Sequence, residues 1–241
     1  IRSSLNMGSD LLKEHNVTAI ELGAQSLNDR VLRLNKRGHT VNDVYNASAL
    51  IRQHGFELGL QIMTGLYADS DASTIKTAQK VIEIKPDTVR IYPTVVIKGT
   101  KLYDLMQSGV FIPKGIDETA DLCAKLILMF ENAGIKVIRV GLHSGGGVEE
   151  GFAGGAYHPA LREICEGRIY YNNALELLEK QAKGKYVLSV NPREISKMTG
   201  QKKENLTKLR EKGYDVSEKI YTVEQGYAEL KRLFERSVTR D

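Results

Sequence analysis

The sequence predicts an α/β protein whose main part is a parallel sheet built from βαβ units. Apolar, strand-like segments alternate with helical ones at a spacing of roughly 30 residues through four consecutive strands. Each strand ends in a loop with polar or glycine residues, and right-handed crossovers bring such loops to one edge of the sheet. An uneven charge distribution predicts a second, smaller part. The expected fold class is therefore a TIM-type barrel, or a piece of one, followed by a small α/β domain.

The elements of the main part follow from hydrophobic periodicity. Strands are expected at residues 17–22, 56–64, 88–96 and 135–140, after a strand end at 1–4 and a helix end at 10–15. Apolar residues at helical spacing predict helices at 41–54, 73–84, 117–133 and 159–179, and residues 101–108 predict a shorter one. Residues 141–159 are rich in glycine and predict a loop that can approach a ligand closely.

The last part of the chain is basic. From Lys180 onward it carries 15 Lys and Arg against 9 Asp and Glu, whereas the preceding residues carry 19 against 21. Residues 180–185 read as a polar linker, which predicts domains at 1–179 and 180–241. The second domain is expected to run strand 186–190, helix 193–198, helix 204–211, strand 214–221 and helix 223–236.

The composition is that of a globular protein and gives no indication of a membrane span, a signal peptide or a cysteine-based metal site. Of 241 residues, 41% are apolar and 27% charged, as in an ordinary soluble domain. The chain shows no run of 18 apolar residues and no signal-peptide pattern, so we expect no membrane span and a cytoplasmic location. Cys123 and Cys165 lie far apart outside any CxxC, so buried thiols are expected; these two alone cannot build a metal or iron–sulfur site.

One candidate site follows the first complete strand. Gln25 and Ser26 come directly after it and offer neutral hydrogen-bonding groups where ligands bind in parallel α/β folds. Arg33, Lys36 and Arg37 come next and suit a carboxylate or phosphate. A strand end followed by a solvated basic turn is the alternative.

A second candidate site lies in the basic part. Lys197, Lys202, Lys203 and Lys208 gather around the turn at Gly200, where a helix start exposes backbone N–H groups. Such a turn attracts a nucleic-acid backbone. The alternative is a solvated basic face on a small α/β domain.

Several motifs, in order, carry a family resemblance. They are Ile20-Glu-Leu-Gly-Ala-Gln-Ser, Arg37-Gly-His-Thr, Gly55-Phe-Glu-Leu-Gly-Leu-Gln-Ile-Met-Thr-Gly-Leu, Val89-Arg-Ile-Tyr-Pro-Thr-Val-Val-Ile-Lys-Gly-Thr and Gly155-Ala-Tyr-His-Pro-Ala-Leu-Arg-Glu. This segment closely resembles the radical SAM domain of the Elongator catalytic-subunit family, and oxygen-independent coproporphyrinogen oxidase-like proteins more distantly. The resemblance implies a partial (β/α)6 barrel, S-adenosylmethionine as ligand and a [4Fe–4S] cluster.

The resemblance also assigns residues. It implies that Gln25 and Arg37 contact S-adenosylmethionine, with Ser26 beside them and Gln61 on the ribose side. An amide suits ribose hydroxyls, and a guanidinium suits the methionine carboxylate. The resemblance assigns no catalytic side chain.

The chain departs from the family pattern in two ways. The cluster motif C-x(n)-C-x-x-C is absent from the sequence, so no metal ligand is assigned, and we expect an N-terminally truncated chain that also lacks the acetyltransferase domain. The stretch from Ile195 to Leu209 resembles the helix–GxxG–helix core of a KH RNA-binding module, with Lys203 in place of the second glycine.

The function expected is that of the C-terminal portion of a radical SAM enzyme acting on RNA, such as tRNA, through a 5′-deoxyadenosyl radical. This chain alone is expected to be inactive. The first alternative is a non-catalytic RNA-binding protein on a degenerate barrel. The second is a cluster-free lyase or aldolase, for which Lys98 is the candidate Schiff-base lysine.

Overall fold

The computed structural model describes residues 11–142, 148–220 and 239–240. The chain divides into two compact units, residues 1–161 and 162–241. The strand end predicted at 1–4 and the helix predicted at 223–236 lie outside the described residues. The partial-barrel α/β class is confirmed for the first unit by its parallel sheet and the helices that connect the strands.

The first unit contains a parallel sheet and a small antiparallel ribbon. The strands are β1 (Ala19–Gln25), β2 (Glu57–Thr64), β3 (Thr88–Pro93), β4 (Val95–Ile97), β5 (Lys136–Val140) and β6 (Phe152–Gly155). The helices are α1 (Asp29–Leu34), α2 (Val41–Gln53), α3 (Asp71–Ile84), α4 (Lys101–Gln107), α5 (Ile116–Asn132) and α6 (Val148–Gly151). The sheet order is β1-β2-β3-β5, all parallel, and β4 pairs with β6 antiparallel.

Side-chain caps fix where the helices after each strand begin. Asn28 accepts hydrogen bonds from the first N–H groups of α1. Thr40 and Asp43 form a reciprocal capping box on α2, and Ser70 caps α3. Since α1 and α3 directly follow β1 and β2, their N-termini lie near the carboxyl edge of the sheet.

Two expectations for this unit were wrong in detail. The strand predicted at 88–96 is two strands: β3 stays paired with β2 through Pro93, where the Thr94 N–H donates to the Thr64 carbonyl (2.9 Å), and the chain from Val95 onward pairs with β6. The loop predicted at 141–159 contains β6. Gly155 has φ +100°, and a Cβ there would lie 2.6 Å from the Thr94 carbonyl oxygen, so only glycine permits this close pairing.

The second unit is a small α/β unit. It contains α7 (Leu161–Leu178), β7 (Gly184–Val190), α8 (Ile195–Thr199), α9 (Glu204–Glu211), β8 (Tyr214–Ile220) and β9 (Thr239–Arg240). In the sheet order β8-β7-β9, β7 runs parallel to β8 and antiparallel to β9.

The second unit begins with α7 and not after it. The inner side chains of this helix share a core with those of β7, α8, α9 and β8: Tyr170, Tyr171, Ala174 and Leu178 with Leu188, Met198, Leu209 and Tyr214. This packing explains why the unit starts before the polar linker at 180–185. Within the described part of the chain, no helix combines the length and hydropathy that a membrane crossing requires.

Candidate functional site

The parallel sheet has one apolar face and one polar face. The side chains of β2 and β3 that face the helices are at most 1% exposed: Leu58, Leu60, Ile62, Val89 and Ile91. Between them lie half-buried side chains that can bond a ligand. Together with their neighbours on β1 and β5 they form what we call the polar face: Glu21, Gln25, Gln61, Met63, Arg90, Tyr92 and Arg139.

Gln25 is held at the edge of this face by an unusual backbone. Its φ is +61°, and the Ser26 N–H donates to the Ala24 carbonyl (2.7 Å), which closes a γ-turn. The strand register also shifts between Gly23 and Gln25. The Gln25 side chain then accepts a hydrogen bond from Gln61 Nε2 (3.2 Å). A Cβ at Gly23 would lie 2.5 Å from Gln25 Nε2, so the glycine leaves room for this amide.

Arg37 reaches the same edge from the loop between α1 and α2. It is half-buried, and its terminal NH2 donates to the thioether sulfur of Met63 (3.0 Å), which is a weak acceptor. Its buried Nε finds no partner among the residues that the structure describes. Thr94 Oγ1, in the segment after β3, is also buried without a partner in that part of the chain. A guanidinium in this state is suited to an anionic ligand.

His39 ties the Arg37 loop to β1. One ring nitrogen lies 3.1 Å from the Arg37 carbonyl oxygen, and the other lies 3.2 Å from the Ala24 carbonyl oxygen. Ala24 immediately precedes the γ-turn at Gln25. The histidine therefore couples the position of the guanidinium to that of the glutamine amide.

The polar face also carries a charged network that joins Glu21 of β1 to Arg90 and Tyr92 of β3. Arg90 contacts Glu21 Oε1 through Nε (2.9 Å) and through a terminal nitrogen (2.7 Å), and its other terminal nitrogen donates to the Tyr92 hydroxyl (3.3 Å). The hydrogen bond to Tyr92 and the Glu21 carboxylate raise the pKa of Arg90 above its ordinary value, although burial opposes them. Arg90 is thus a permanent cation whose charge is already shared with a carboxylate.

Ser26 does not lie on the polar face. Its side chain is fully buried, and its hydroxyl oxygen lies 3.5 Å from Thr77 Oγ1 on α3. The neighbouring Leu27 N–H donates to the same threonine oxygen (3.1 Å). Ser26 therefore contributes to helix–sheet packing in this structure, and the site is built from the other three predicted residues, Gln25, Arg37 and Gln61.

The cysteines are placed as the sequence predicts. Cys123 in α5 and Cys165 in α7 are both buried, and neither forms a disulfide bond in the described part of the chain. Across the described ranges, no group of three His, Cys, Asp or Glu side chains converges to hold a metal ion. Since a [4Fe–4S] cluster needs several thiolates, these residues do not fit one.

In the second unit, the turn between α8 and α9 is shaped by Gly200 and Asn205. Gly200 has φ +70°, and a Cβ there would lie 2.9 Å from Asn205 Cγ. The buried Asn205 amide nitrogen lies within hydrogen-bonding distance of the Gly167, Lys197 and Met198 carbonyl oxygens (2.9, 3.2 and 3.0 Å). This packing holds the turn against α7 and α8.

Besides Gly200, four lysines were predicted to bind nucleic acid, and they differ in their surroundings. Lys202 and Lys203 are exposed in the left-handed region (φ +50° and +62°), and no ion pair or side-chain hydrogen bond involves either amine in the described part of the chain. Lys197 contacts Glu194 (2.6 Å) and Glu166 (3.2 Å). Lys208 pairs with Glu204 on α9. Lys202 and Lys203 are therefore better placed for a phosphate than the two paired lysines.

The surroundings of Lys197 also set its protonation. Burial alone would lower the pKa of its amine, but the hydrogen bond to Glu194 and the charge of Glu166 outweigh burial and raise that pKa. The amine stays charged and is engaged within its own unit.

Sequence reasoning missed much of the polar face. Glu21, His39, Met63, Arg90 and Tyr92 each make a contact there that was not predicted. The available signal was the alternation in β2 and β3, where every second residue is apolar and the residues between them include Gln61, Arg90 and Tyr92. Polar residues at alternate positions of an otherwise buried strand mark a ligand-facing side.

Comparisons with known proteins identify the family and the fold of this chain. The family model described as the Radical SAM superfamily matches residues 8–81, and the model described as the Radical SAM C-terminal domain matches residues 86–171. A tRNA uridine(34) acetyltransferase of Methanocaldococcus infernus is 34% identical over 108 residues, which are 44% of this chain and 20% of that protein. Elongator complex protein 3 of Saccharomyces cerevisiae is 32% identical over 123 residues, 50% of this chain and 22% of that protein.

A solved structure shares the fold. An archaeal Elp3 of Methanocaldococcus infernus with an N-terminal deletion superposes with a TM-score of 0.59 at 24% identity, over 71% of this chain and 39% of that chain. The chain spans about a fifth of the length of the curated relatives it matches. The two adjoining radical SAM models together match more than half of the chain, so the chain belongs to the radical SAM superfamily, and it is similar to Elongator complex protein 3.

Proposed function

We propose that this chain binds S-adenosylmethionine at the polar face and serves a radical SAM enzyme that acts on RNA, with tRNA as the substrate class. The observation that carries the proposal is Arg37, a half-buried guanidinium whose Nε has no partner among the described residues. An unsatisfied buried donor is costly unless a ligand completes it. The methionine carboxylate of S-adenosylmethionine has the charge and geometry to do so.

The neighbouring side chains suit the rest of the cofactor. Gln25 and Gln61 lie side by side with amide groups that can exchange their mutual hydrogen bond for ribose hydroxyls. His39 holds the loop of Arg37 to the strand of Gln25. The residue that would bind the carboxylate and the residue that would bind the ribose therefore lie at a fixed separation. In this arrangement the chain binds and orients the cofactor.

In radical SAM enzymes, bound S-adenosylmethionine together with a reduced [4Fe–4S] cluster supplies a 5′-deoxyadenosyl radical. The residues that the structure describes offer no ligand set for that cluster, so we assign none of them to it. What we assign to this chain is cofactor binding and the exclusion of water by the half-buried polar face.

The second unit would dock the RNA. Lys202 and Lys203 flank the start of α9, where no side chain caps the first backbone N–H groups. Two exposed amines beside a helix start that no side chain caps suit a phosphate backbone, in the manner of a KH loop. The tRNA assignment draws on the relatives named tRNA uridine(34) acetyltransferase, and cytoplasmic RNA would be the substrate pool.

Calorimetry on the full chain tests the proposal. Titration with S-adenosylmethionine is expected to give saturable binding that Gln61→Leu weakens, whereas Gln53→Leu, at the end of α2 and away from the polar face, leaves it unchanged. Absence of binding to the correctly folded chain would contradict the cofactor part.

The second candidate is a non-catalytic RNA-binding protein, which Lys202 and Lys203 favour because neither amine forms an ion pair within the described ranges. It predicts salt-dependent RNA binding together with no affinity for S-adenosylmethionine. The same titration therefore separates the two functions.

A further inference from the structure

The polar face carries more positive charge than its own carboxylate can balance. Arg90 on β3 and Arg139 on β5 are direct register partners, so two guanidinium side chains start from adjacent positions on neighbouring strands. Glu21 makes its two contacts with Arg90. Two adjacent like charges repel unless an anion lies between them or near them.

Arg139 has no acidic partner in the part of the chain that the structure describes. Its Nε donates to the Gly141 carbonyl (3.1 Å), which anchors the guanidinium toward the carboxyl end of β5. The side chain is half-buried. Arg139 therefore differs from Arg90, whose charge is compensated, and from Arg37, which we assign to the cofactor carboxylate.

Tyr92 adds a second donor on the same face, two residues along β3 from Arg90, the register partner of Arg139. Its hydroxyl oxygen accepts a hydrogen bond from Arg90, so its own O–H remains available to donate. A guanidinium with two terminal nitrogens, together with a hydroxyl on the neighbouring strand, matches the several oxygens of a phosphate group better than it matches a single carbonyl.

We propose that Arg139, with Tyr92, binds a phosphate group of the second substrate, at a position separate from the one that Arg37 provides for S-adenosylmethionine. This inference rests on the proposed function, because it places the second substrate on the same polar face. The phosphate belongs either to a small phosphorylated molecule or to the backbone of an oligonucleotide, and the two sources bind Arg139 through the same chemistry.

The test uses the full chain and two probes, inorganic pyrophosphate and a short single-stranded RNA. Lys202→Ala and Lys203→Ala are introduced in every sample, so that RNA bound by the turn of the second unit does not mask the effect. Calorimetric titrations then compare Arg139→Gln and Arg139→Lys with Arg52→Gln. Arg52 is a matched control, since it pairs with Asp87 before β3, at the opposite edge of the sheet.

We expect Arg139→Gln to weaken one of the two probes by about tenfold or more, the loss expected for one charge-assisted contact. Arg139→Lys, which keeps the charge and loses the paired geometry, should fall between Arg139→Gln and the unsubstituted protein, and Arg52→Gln should have no effect. An effect on pyrophosphate assigns a small phosphorylated substrate, and an effect on RNA alone assigns the backbone. Equal binding of both probes by all variants, or no binding of either probe, overturns the proposal.

A parallel titration with S-adenosylmethionine distinguishes failure of the phosphate proposal from failure of the proposed function. If Arg139→Gln binds the cofactor within about twofold of the unsubstituted chain while losing the phosphate probe, both proposals stand. If no variant binds the cofactor but the probe still depends on Arg139, the phosphate position stands and the proposed function fails.

Discussion

The polar face of the first unit and the turn between α8 and α9 of the second are both cationic, but they use their charge differently. On the polar face, sheet register fixes the side chains, and most polar groups already have partners, such as Gln25 with Gln61 and Arg90 with Glu21. On the turn, Lys202 and Lys203 are exposed, and neither amine has a partner among the residues that the structure describes. The first arrangement suits recognition of particular ligand groups at fixed positions, and the second suits a repeating phosphate backbone.

The largest effect expected from this comparison concerns Arg37. Arg37→Gln should weaken S-adenosylmethionine binding by about 1.5–3 kcal/mol, roughly 10- to 150-fold, because a charge-assisted hydrogen bond is lost. RNA binding should stay unchanged, since the turn of the second unit is intact. Calorimetric titration with the cofactor measures the effect.

Arg33→Gln is the matched control for this change. Arg33 is an exposed arginine of α1, four positions earlier in the sequence. An equal loss of affinity in Arg33→Gln would mean that net charge, and not the position of Arg37, governs binding.

The next effect concerns the turn. Replacing Lys202 and Lys203 together by alanine should reduce the salt dependence of RNA binding, the slope of log K against log salt, by about 1.4 if each amine releases one counterion from a single strand. Affinity for S-adenosylmethionine should not change. Fluorescence anisotropy with a labelled single-stranded RNA at several salt concentrations gives the slope.

Two further variants sharpen this result. Lys208→Ala should change the slope less than either lysine of the turn, because Lys208 is paired with Glu204. A double variant of Lys76 and Lys125, exposed lysines of the first unit, removes the same charge elsewhere. If that double variant lowers the slope equally, the turn is not the RNA-binding surface.

A smaller effect is expected at His39. Glutamine places its amide nitrogen near the position of the histidine Nε2 and can keep the hydrogen bond to the Ala24 carbonyl. Asparagine matches Nδ1 and keeps only the Arg37 carbonyl contact. His39→Asn should therefore weaken cofactor binding by about 0.5–1.5 kcal/mol, two- to tenfold, and His39→Gln should weaken it less.

Titration of both His39 variants with S-adenosylmethionine distinguishes the two contacts. If His39→Gln binds S-adenosylmethionine less tightly than His39→Asn does, the contact with the Arg37 carbonyl is what positions Arg37. The link to β1 would then have no role in the site.

The smallest effect concerns pH and the capping box before α2. Hydrogen bonds from the Thr40 side chain and backbone lower the pKa of Asp43 below its ordinary value of 3.8. A lowered pKa in the folded state means that the carboxylate stabilises the fold above about pH 4, and that this contribution is lost as pH falls through the lowered value. The stability difference between the unsubstituted chain and Asp43→Asn should therefore shrink between about pH 5 and pH 3.

Thermal denaturation at these two pH values measures the difference. Glu57→Gln, which removes an exposed carboxylate at the start of β2, serves as the control. A difference that grows as the pH falls would contradict the assignment of the lowered pKa to Asp43.

Local signals allowed much of the fold to be predicted, together with the position of three candidate site residues on the polar face. Periodicity located the strands and helices around Gln25 and Gln61, and strand ends indicated the edge of the sheet at which Gln25, Gln61 and Arg37 lie together. The pairing of β6 with β4 and the inclusion of α7 in the second unit depend on contacts between residues far apart in sequence, so local patterns did not indicate them.

The same reason explains the residues that were missed or misplaced. The Glu21–Arg90 pair joins residues 69 positions apart. Ser26 is turned toward Thr77 by the γ-turn that precedes it, and a left-handed glutamine is not visible in the sequence. Residue type indicated which side chains can bond a ligand, whereas the backbone decided which of them lie on the polar face.

The most direct test of the central claim pairs one substitution with one change in the ligand. Calorimetry would compare S-adenosylmethionine with its decarboxylated analogue on the unsubstituted chain and on Arg37→Gln. If Arg37 holds the methionine carboxylate, the substitution weakens the complete cofactor and leaves the affinity for the decarboxylated analogue nearly unchanged. Equal losses for both ligands, or no binding of either by the unsubstituted chain, would contradict the assignment of the polar face as the cofactor site.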